Sequence, residues 1–230
     1  MRVVLLHALP FDGRMWQAER DLAPGGVVAP SLYRLGETLE DWAQGVIALV
    51  GDEPVLVVGC SVGGSCALEV ARAAPDQVLG VVLVGAKAGV RPDPVLRDEA
   101  VRLLISKGVE AAWRVYWRPL FGRHAPEGVL TVARDLAVDQ EVEDLVREVR
   151  AFHERRDLTD FALAWPRPIV VISGDEDRTP LPTTAARITA APNRRFHLVE
   201  DCGHYVNLER PIEFRSLVAE TIGRISGGCS

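Results

Sequence analysis

Gly59-Cys60-Ser61-Val62-Gly63-Gly64 sets a serine among glycines. The chemistry open to such a serine is nucleophilic attack, provided that a base takes its proton. The match to G-x-S-x-G gains weight from its flanks: an aliphatic run over 54–58 ends just before Gly59, and an apolar helical pattern follows Gly64. A strand, a sharp turn and a helix in that order would lift the hydroxyl to the carboxyl edge of a sheet. Glycines on either side would relieve the crowding of the bend. The helix that follows would aim its first N–H groups at the space where negative charge develops. A phosphate-binding turn fits less well, because neither G-x-G-x-x-G nor a Walker pattern occurs here.

A serine hydroxyl is a poor nucleophile at neutral pH and needs an imidazole oriented by a carboxylate. Of the five histidines, His204 stands in the loop Asp201-Cys202-Gly203-His204, between the last strand pattern and the final helix. From there a side chain can reach the sheet's carboxyl edge. His197 falls within the preceding strand pattern, and His124 and His153 fall in a helical region. The acid should come from another strand end, and the run after Ile169 delivers three carboxylates, Asp175, Glu176 and Asp177. Asp177 is the choice, with the other two as competitors. Ser61, Asp177 and His204 then follow in the chain order nucleophile, acid, base.

The elements that must position these residues alternate along the chain. Near-continuous aliphatic runs at 2–6, 54–58, 79–84 and 169–172 read as buried parallel strands, with weaker ones at 27–29 and 195–199. Helical patterns at 38–50, 65–74, 182–190 and 212–225 separate or follow them; Thr38 is an N-cap with Asp41 three residues on. The reading is an α/β protein: a doubly wound, mostly parallel sheet of about six strands with helices on both faces. The interval 91–166 breaks the rhythm, with helical patterns at 93–106, 109–121 and 127–150 and no convincing strand. It is expected to be an inserted helical cap (91–166) on a core formed by residues 1–90 and 167–230.

Bulk properties narrow the classes of function. A chain of 230 residues with 48% hydrophobic and 25% charged content suits one soluble globular domain. Its formal net charge of −6 argues against a general nucleic-acid surface, while leaving room for local basic patches. Only Lys87 and Lys107 among the 26 basic residues are lysines, and no basic tail occurs. The short apolar run before His7 fits neither a signal peptide nor a membrane span, so a cytoplasmic protein without membrane or nucleic-acid partners is expected. Cys60, Cys66, Cys202 and Cys229 form no C-x-x-C pair, so reduced structural thiols and no metal or organic cofactor are expected.

The chain resembles the α/β hydrolases, and within them the small esterase and enol-lactonase branch, over essentially its whole length. Four stretches carry the resemblance: Leu5-Leu6-His7-Ala8-Leu9-Pro10 with Trp16 after it, the Gly59–Gly64 turn, Gly174-x-x-Asp177, and Gly203-His204-Tyr-Val-Asn-Leu-Glu209-Arg-Pro211. The resemblance implies that Leu9 N–H stands beside Val62 N–H as an oxyanion hole. Ala8 occupies a position where the family usually has glycine, and a positive φ there would strain it. The implied reaction is hydrolysis of a small, largely apolar ester or lactone through an acyl-enzyme. The alternatives are carbon–carbon bond hydrolysis, acyl transfer or perhydrolysis by the same three residues, or a hydrolase-like ligand receptor. Trp113, Trp117 and, less closely, Phe121 fall along one helix face in the cap and are the candidate substrate-binding residues. Arg114 and Arg118 form a parallel stripe, a solvated face from which one arginine could meet a substrate carboxylate.

Overall fold

Alternation along the first strand sets the layers of the molecule. In the computed structural model, which describes residues 1–90, 92–191 and 193–227, Val3 and Leu5 of β1 (Arg2–Leu6) join one hydrophobic cluster. Val4 and Leu6 join a second on the opposite face. Successive strand side chains point to opposite faces, and here both faces are covered. The first cluster takes in Phe214 and Val218 of the C-terminal helix. The second takes in Leu39, Trp42 and Val46 of α1 (Leu39–Val50), and Ala67 and Leu68 of α2 (Val62–Ala73).

The remaining strands are β2 (Val27–Val28), β3 (Val55–Cys60), β4 (Val78–Val84), β5 (Ile169–Gly174) and β6 (Arg194–Val199). They form one sheet in the order β2-β1-β3-β4-β5-β6, and every pairing is parallel. This is the expected doubly wound α/β architecture. The strand order reverses between β1 and β3, and the crevice at such a switch point, beyond the carboxyl ends of the strands, is where ligands bind in open α/β sheets. His7 follows β1 there, and Ser61 follows β3.

Between β4 and β5 the structure is helical, with α3 (Pro94–Ala112), a π-helical turn at Trp113–Trp117, α4 (Glu127–Val138), α5 (Val142–Glu154) and α6 (Thr159–Ala164). The single helix expected over 127–150 is thus two. The chain breaks at the polar residues Asp139, Gln140 and Glu141, and Gln140 turns inward to accept a 2.7 Å hydrogen bond from Tyr33 Oη. The first boundary of the expected cap, Arg91, lies outside the described residues, as do Cys229 and the end of the C-terminal tail. After β5 come α7 (Pro182–Ala185), α8 (Val206–Glu209) and α9 (Pro211–Gly227). Thr38 caps α1 as expected, in a reciprocal box with Asp41.

Candidate active site

Ser61 sits at φ 53°, ψ −118°, between the end of β3 and the start of α2. A non-glycine residue at positive φ costs of order 1–3 kcal/mol and persists only where its surroundings over-determine it. Here they do. Ser61 N–H donates to the Val84 carbonyl at 2.9 Å, and its own carbonyl accepts from Gly64 N–H at 3.0 Å. A Cβ on Gly59 would collide with the Gly63 carbonyl, one on Gly63 with the Leu6 carbonyl, and one on Gly64 with the Ala86 side chain. Gly59 and Gly63 are therefore required by close backbone approach and Gly64 by the Ala86 side chain, and the strained conformation falls on the serine itself.

The strand ends next to it bring an acid and an imidazole together. Asp177 Oδ2 lies 2.9 Å from His204 Nδ1, and both residues are buried. Thr179 N–H donates to Asp177 Oδ1 at 2.8 Å, so each carboxylate oxygen has a partner. The network assigns the neutral ring the tautomer with its proton on Nδ1, which leaves Nε2 with a lone pair. The competing carboxylates are engaged elsewhere: Asp175 accepts from Cys202 N–H, and Glu176 pairs with Arg123.

Three residues outside the predicted catalytic set hold the histidine loop. Gly85, at φ 53°, backs against His204: a Cβ there would lie 2.6 Å from its carbonyl oxygen and 2.9 Å from Nδ1. Glu209, buried in α8, accepts from Gly203 N–H at 3.1 Å and from Gly122 N–H at 2.8 Å, tying the loop to the helical segment. Tyr205 is fully buried against the His204 ring. Its hydroxyl donates to the Leu9 carbonyl at 2.9 Å, linking the histidine loop to the loop after β1.

The Leu9 and Val62 amides have no backbone partner among the described residues. Positive φ outside glycine is confined, among those residues, to Ser61 and Asp201. Ala8 is therefore unstrained where glycine is more usual. His7 directs Nε2 at Leu32 N–H, which donates to it at 2.8 Å. Burial pushes its pKa down to about 4, so the ring is neutral.

Trp113, Trp117 and Phe121 are buried in the core rather than lining the cavity at Ser61. Trp113 meets Phe11 and Phe121, and Phe121 stacks on Tyr205. Trp113 and Trp117 lie on a π-helical turn and Phe121 is extended beyond the helix end; aromatic packing behind His204 gathers all three, and with it goes the basis for expecting an apolar substrate. The cavity of about 410 Å³ that opens on Ser61 is lined instead by Ser65, Gly85, Lys87, Asp93, Phe152, His153, Arg155 and Arg178, among others. His153, set aside on sequence grounds, is part of its wall.

A parallel sheet with a strained serine after its third strand, and an Asp–His pair after its fifth and sixth, defines a class of hydrolase, and the chain belongs to the α/β hydrolase family, whose model matches residues 3–217. Among curated relatives, pimeloyl-[acyl-carrier protein] methyl ester esterase from Aromatoleum aromaticum is 26% identical, over 96% of this chain and 97% of that protein. Among solved structures, a thermophilic esterase from Thermogutta terrifontis superposes with a TM-score of 0.89 at 24% identity, over 98% of this chain and 90% of that one. The enol-lactonase from Burkholderia xenovorans LB400 does so with a TM-score of 0.85 at 22% identity, over 96% and 91%. Both structural likenesses are likenesses of fold. Among the described residues no helix is long and apolar enough to cross a membrane, and no cluster of His, Cys, Asp and Glu could hold a metal ion.

Proposed function

We propose that the protein is a serine hydrolase that cleaves a small carboxylic ester or lactone through an acyl-enzyme. The observation that carries this reading is the 2.9 Å contact between His204 Nδ1 and Asp177, at the same sheet edge as a serine held at φ 53°. In the mechanism, Ser61 Oγ attacks the carbonyl carbon while His204 Nε2 takes its proton. Asp177 keeps the imidazole in the required tautomer and stabilises the cation that forms. The amides of Val62 and Leu9 receive the oxyanion, and each such donor is typically worth about 10²- to 10³-fold in kcat. His204 then returns the proton to the leaving alkoxide, and water, activated by the same ring, releases the acid.

The helical segment 91–166 serves in this reading as the cap, with 1–90 and 167–230 as the catalytic core. A cytoplasmic setting is kept as part of the proposal, supported by three buried free thiols, Cys60, Cys66 and Cys202. The test is turnover of a panel of p-nitrophenyl esters and small lactones by wild type and Ser61→Ala. Wild type is expected to turn over at least one class and to be labelled by a fluorophosphonate, with a loss of at least about 10³-fold in the variant. Activity that survives in Ser61→Ala would overturn the assignment.

A further inference from the structure

We infer that the ester or lactone taken by this site carries a carboxylate on its acyl part, bound by Arg155 in the wall of the cavity, with Arg178 adding positive charge beside it. The inference rests on the hydrolase reading above and adds the charge of the substrate to it.

The first ground is a local reversal of charge. The chain as a whole carries −6, yet the wall of the cavity that holds Ser61 sets two arginines, Arg155 and Arg178, against one carboxylate, Asp93. Asp93 is already committed, since it accepts from Leu96 N–H at 3.0 Å as the N-cap of α3. A cleft lined by one sign of charge concentrates ligands of the other. In an acidic protein, such a cleft gives an anion its route to the nucleophile.

The second ground is Arg155 itself, which directly follows α5. Arginines around it are paired with carboxylates: Arg156 with Glu40 and Glu69, Arg147 with Glu37 and Asp144, and Arg97 with Asp98 and Glu154. Arg155 has no carboxylate at ion-pair distance among the described residues. It donates to the Phe152 carbonyl, and its guanidinium lies 3.8 Å from the centre of the Phe152 ring. Asp157 acts on it only from a distance, its own oxygens taken up by Val90 and Thr159 amides. A guanidinium has five N–H donors in a planar fork, so most of this fork remains for a ligand. Burial pushes its pKa down to about 10, which leaves it a cation at neutral pH and makes a countercharge valuable to it.

The fork also selects among anions. A carboxylate meets it with two parallel hydrogen bonds in one plane. The sequence candidates Arg114 and Arg118 lie outside the cavity lining, and Arg114 is paired with Glu110 on an exposed helix turn. A cavity of about 410 Å³ is at the small end of ligand sites, which suits a short half-ester or a lactone acid rather than a long acyl chain.

The test compares monomethyl glutarate, an anion, with dimethyl glutarate, its neutral counterpart on the same skeleton, by methanol release from the full-length protein. Wild type is expected to favour the anion by at least about tenfold in kcat/KM, and Arg155→Gln to lower that ratio by at least about tenfold. Arg155→Lys should recover only part of it, while Arg114→Gln should leave the ratio as it is. A ratio of one or less in wild type, or an unchanged ratio in a folded Arg155→Gln protein, overturns the inference. Should that variant not fold, the salt dependence of the wild-type ratio decides, falling toward one for a charge-read substrate and staying flat otherwise.

Calorimetry with Ser61→Ala provides an arm that needs no turnover. Glutarate is expected to bind to Ser61→Ala and not to the Ser61→Ala/Arg155→Gln protein, and tighter binding of inorganic phosphate than of glutarate would overturn the choice of carboxylate. Glutarate binding that depends on Arg155, without hydrolysis of either ester, would break the hydrolase reading and keep the charge assignment. Ser61-dependent hydrolysis of the neutral ester with no glutarate binding would do the reverse.

Discussion

Two histidines in this molecule meet a carboxyl group out of reach of water, and they are wired in opposite senses. His204 lies 2.9 Å from Asp177, and His7 lies 3.3 Å from Glu148 of α5. Asp177 receives a hydrogen bond at each oxygen, from Thr179 N–H and from the imidazole. Among the described residues Glu148 has no hydrogen-bond partner at either oxygen, and burial drives its pKa well above the usual carboxylate range. The rings differ in the same sense. The Nε2 of His7 is spent on the Leu32 amide, whereas no protein donor among the described residues engages that of His204. What distinguishes the candidate base is therefore a nitrogen left free toward the nucleophile. A buried histidine beside a carboxyl group is not enough, since His7 meets that description and has no lone pair to offer.

The comparison is broken most severely by replacing the carboxyl group of each pair with an amide in turn. Asp177→Asn would present an amide that favours the wrong tautomer of His204, and the expected fall in kcat is about 10³- to 10⁴-fold, with the fold intact. Glu148→Gln is expected to change kcat by no more than a few-fold, because neither carboxyl oxygen holds the His7 ring by a hydrogen bond and burial disfavours the charged form. Steady-state kinetics of the two variants on one ester separates them. Equal losses would mean that the His7 pair takes part in the chemistry and that the distinction drawn above is false.

That distinction shows which parts of the site are legible in the sequence. The strands are legible because burial on both faces of a parallel sheet forces continuous aliphatic runs. The serine turn is legible because the close approaches at Gly59, Gly63 and Gly64 admit no side chain. The choice among Asp175, Glu176 and Asp177 is not, since three adjacent turn carboxylates differ only in where they point. Trp113, Trp117 and Phe121 mislead for a related reason: periodicity predicts a shared face but does not say whether a cavity or other side chains lie against it. Arg155, Glu148 and Glu209 are single charged residues whose meaning comes from the absence or presence of partners distant in the chain.

His7 also predicts how stability responds to acid. Its folded pKa of about 4 lies below the ordinary 6.5, so the unfolded chain binds the proton more readily between those values. Stability contributed by this residue is present above pH 6.5 and is lost as pH falls toward 4, by about 3 kcal/mol in all. Urea denaturation at pH 7, 5.5 and 4 should show that decline. A His7→Gln protein, less stable at pH 7, should decline less steeply over the same range. A slope unaffected by the substitution would place the acid sensitivity elsewhere.

Glu148 should act with the opposite sign, and this gives the finest test of the comparison. Its folded pKa is raised by burial, so the folded protein holds a proton that the unfolded chain has released above about pH 4.5. Stability associated with this carboxyl group is therefore present in acid and is lost as pH rises from about 4.5 toward the raised folded value. Gln at 148 keeps the shape and carries no ionisation cost, so the advantage of Glu148→Gln over wild type should grow with pH. It should be larger at pH 7.5 than at pH 5.5. Denaturant midpoints of the two proteins across that range measure the difference. An advantage that stays constant would mean that Glu148 is ionised in the folded protein, as half of an ion pair with His7, and the two histidine–carboxyl pairs would then be alike in charge.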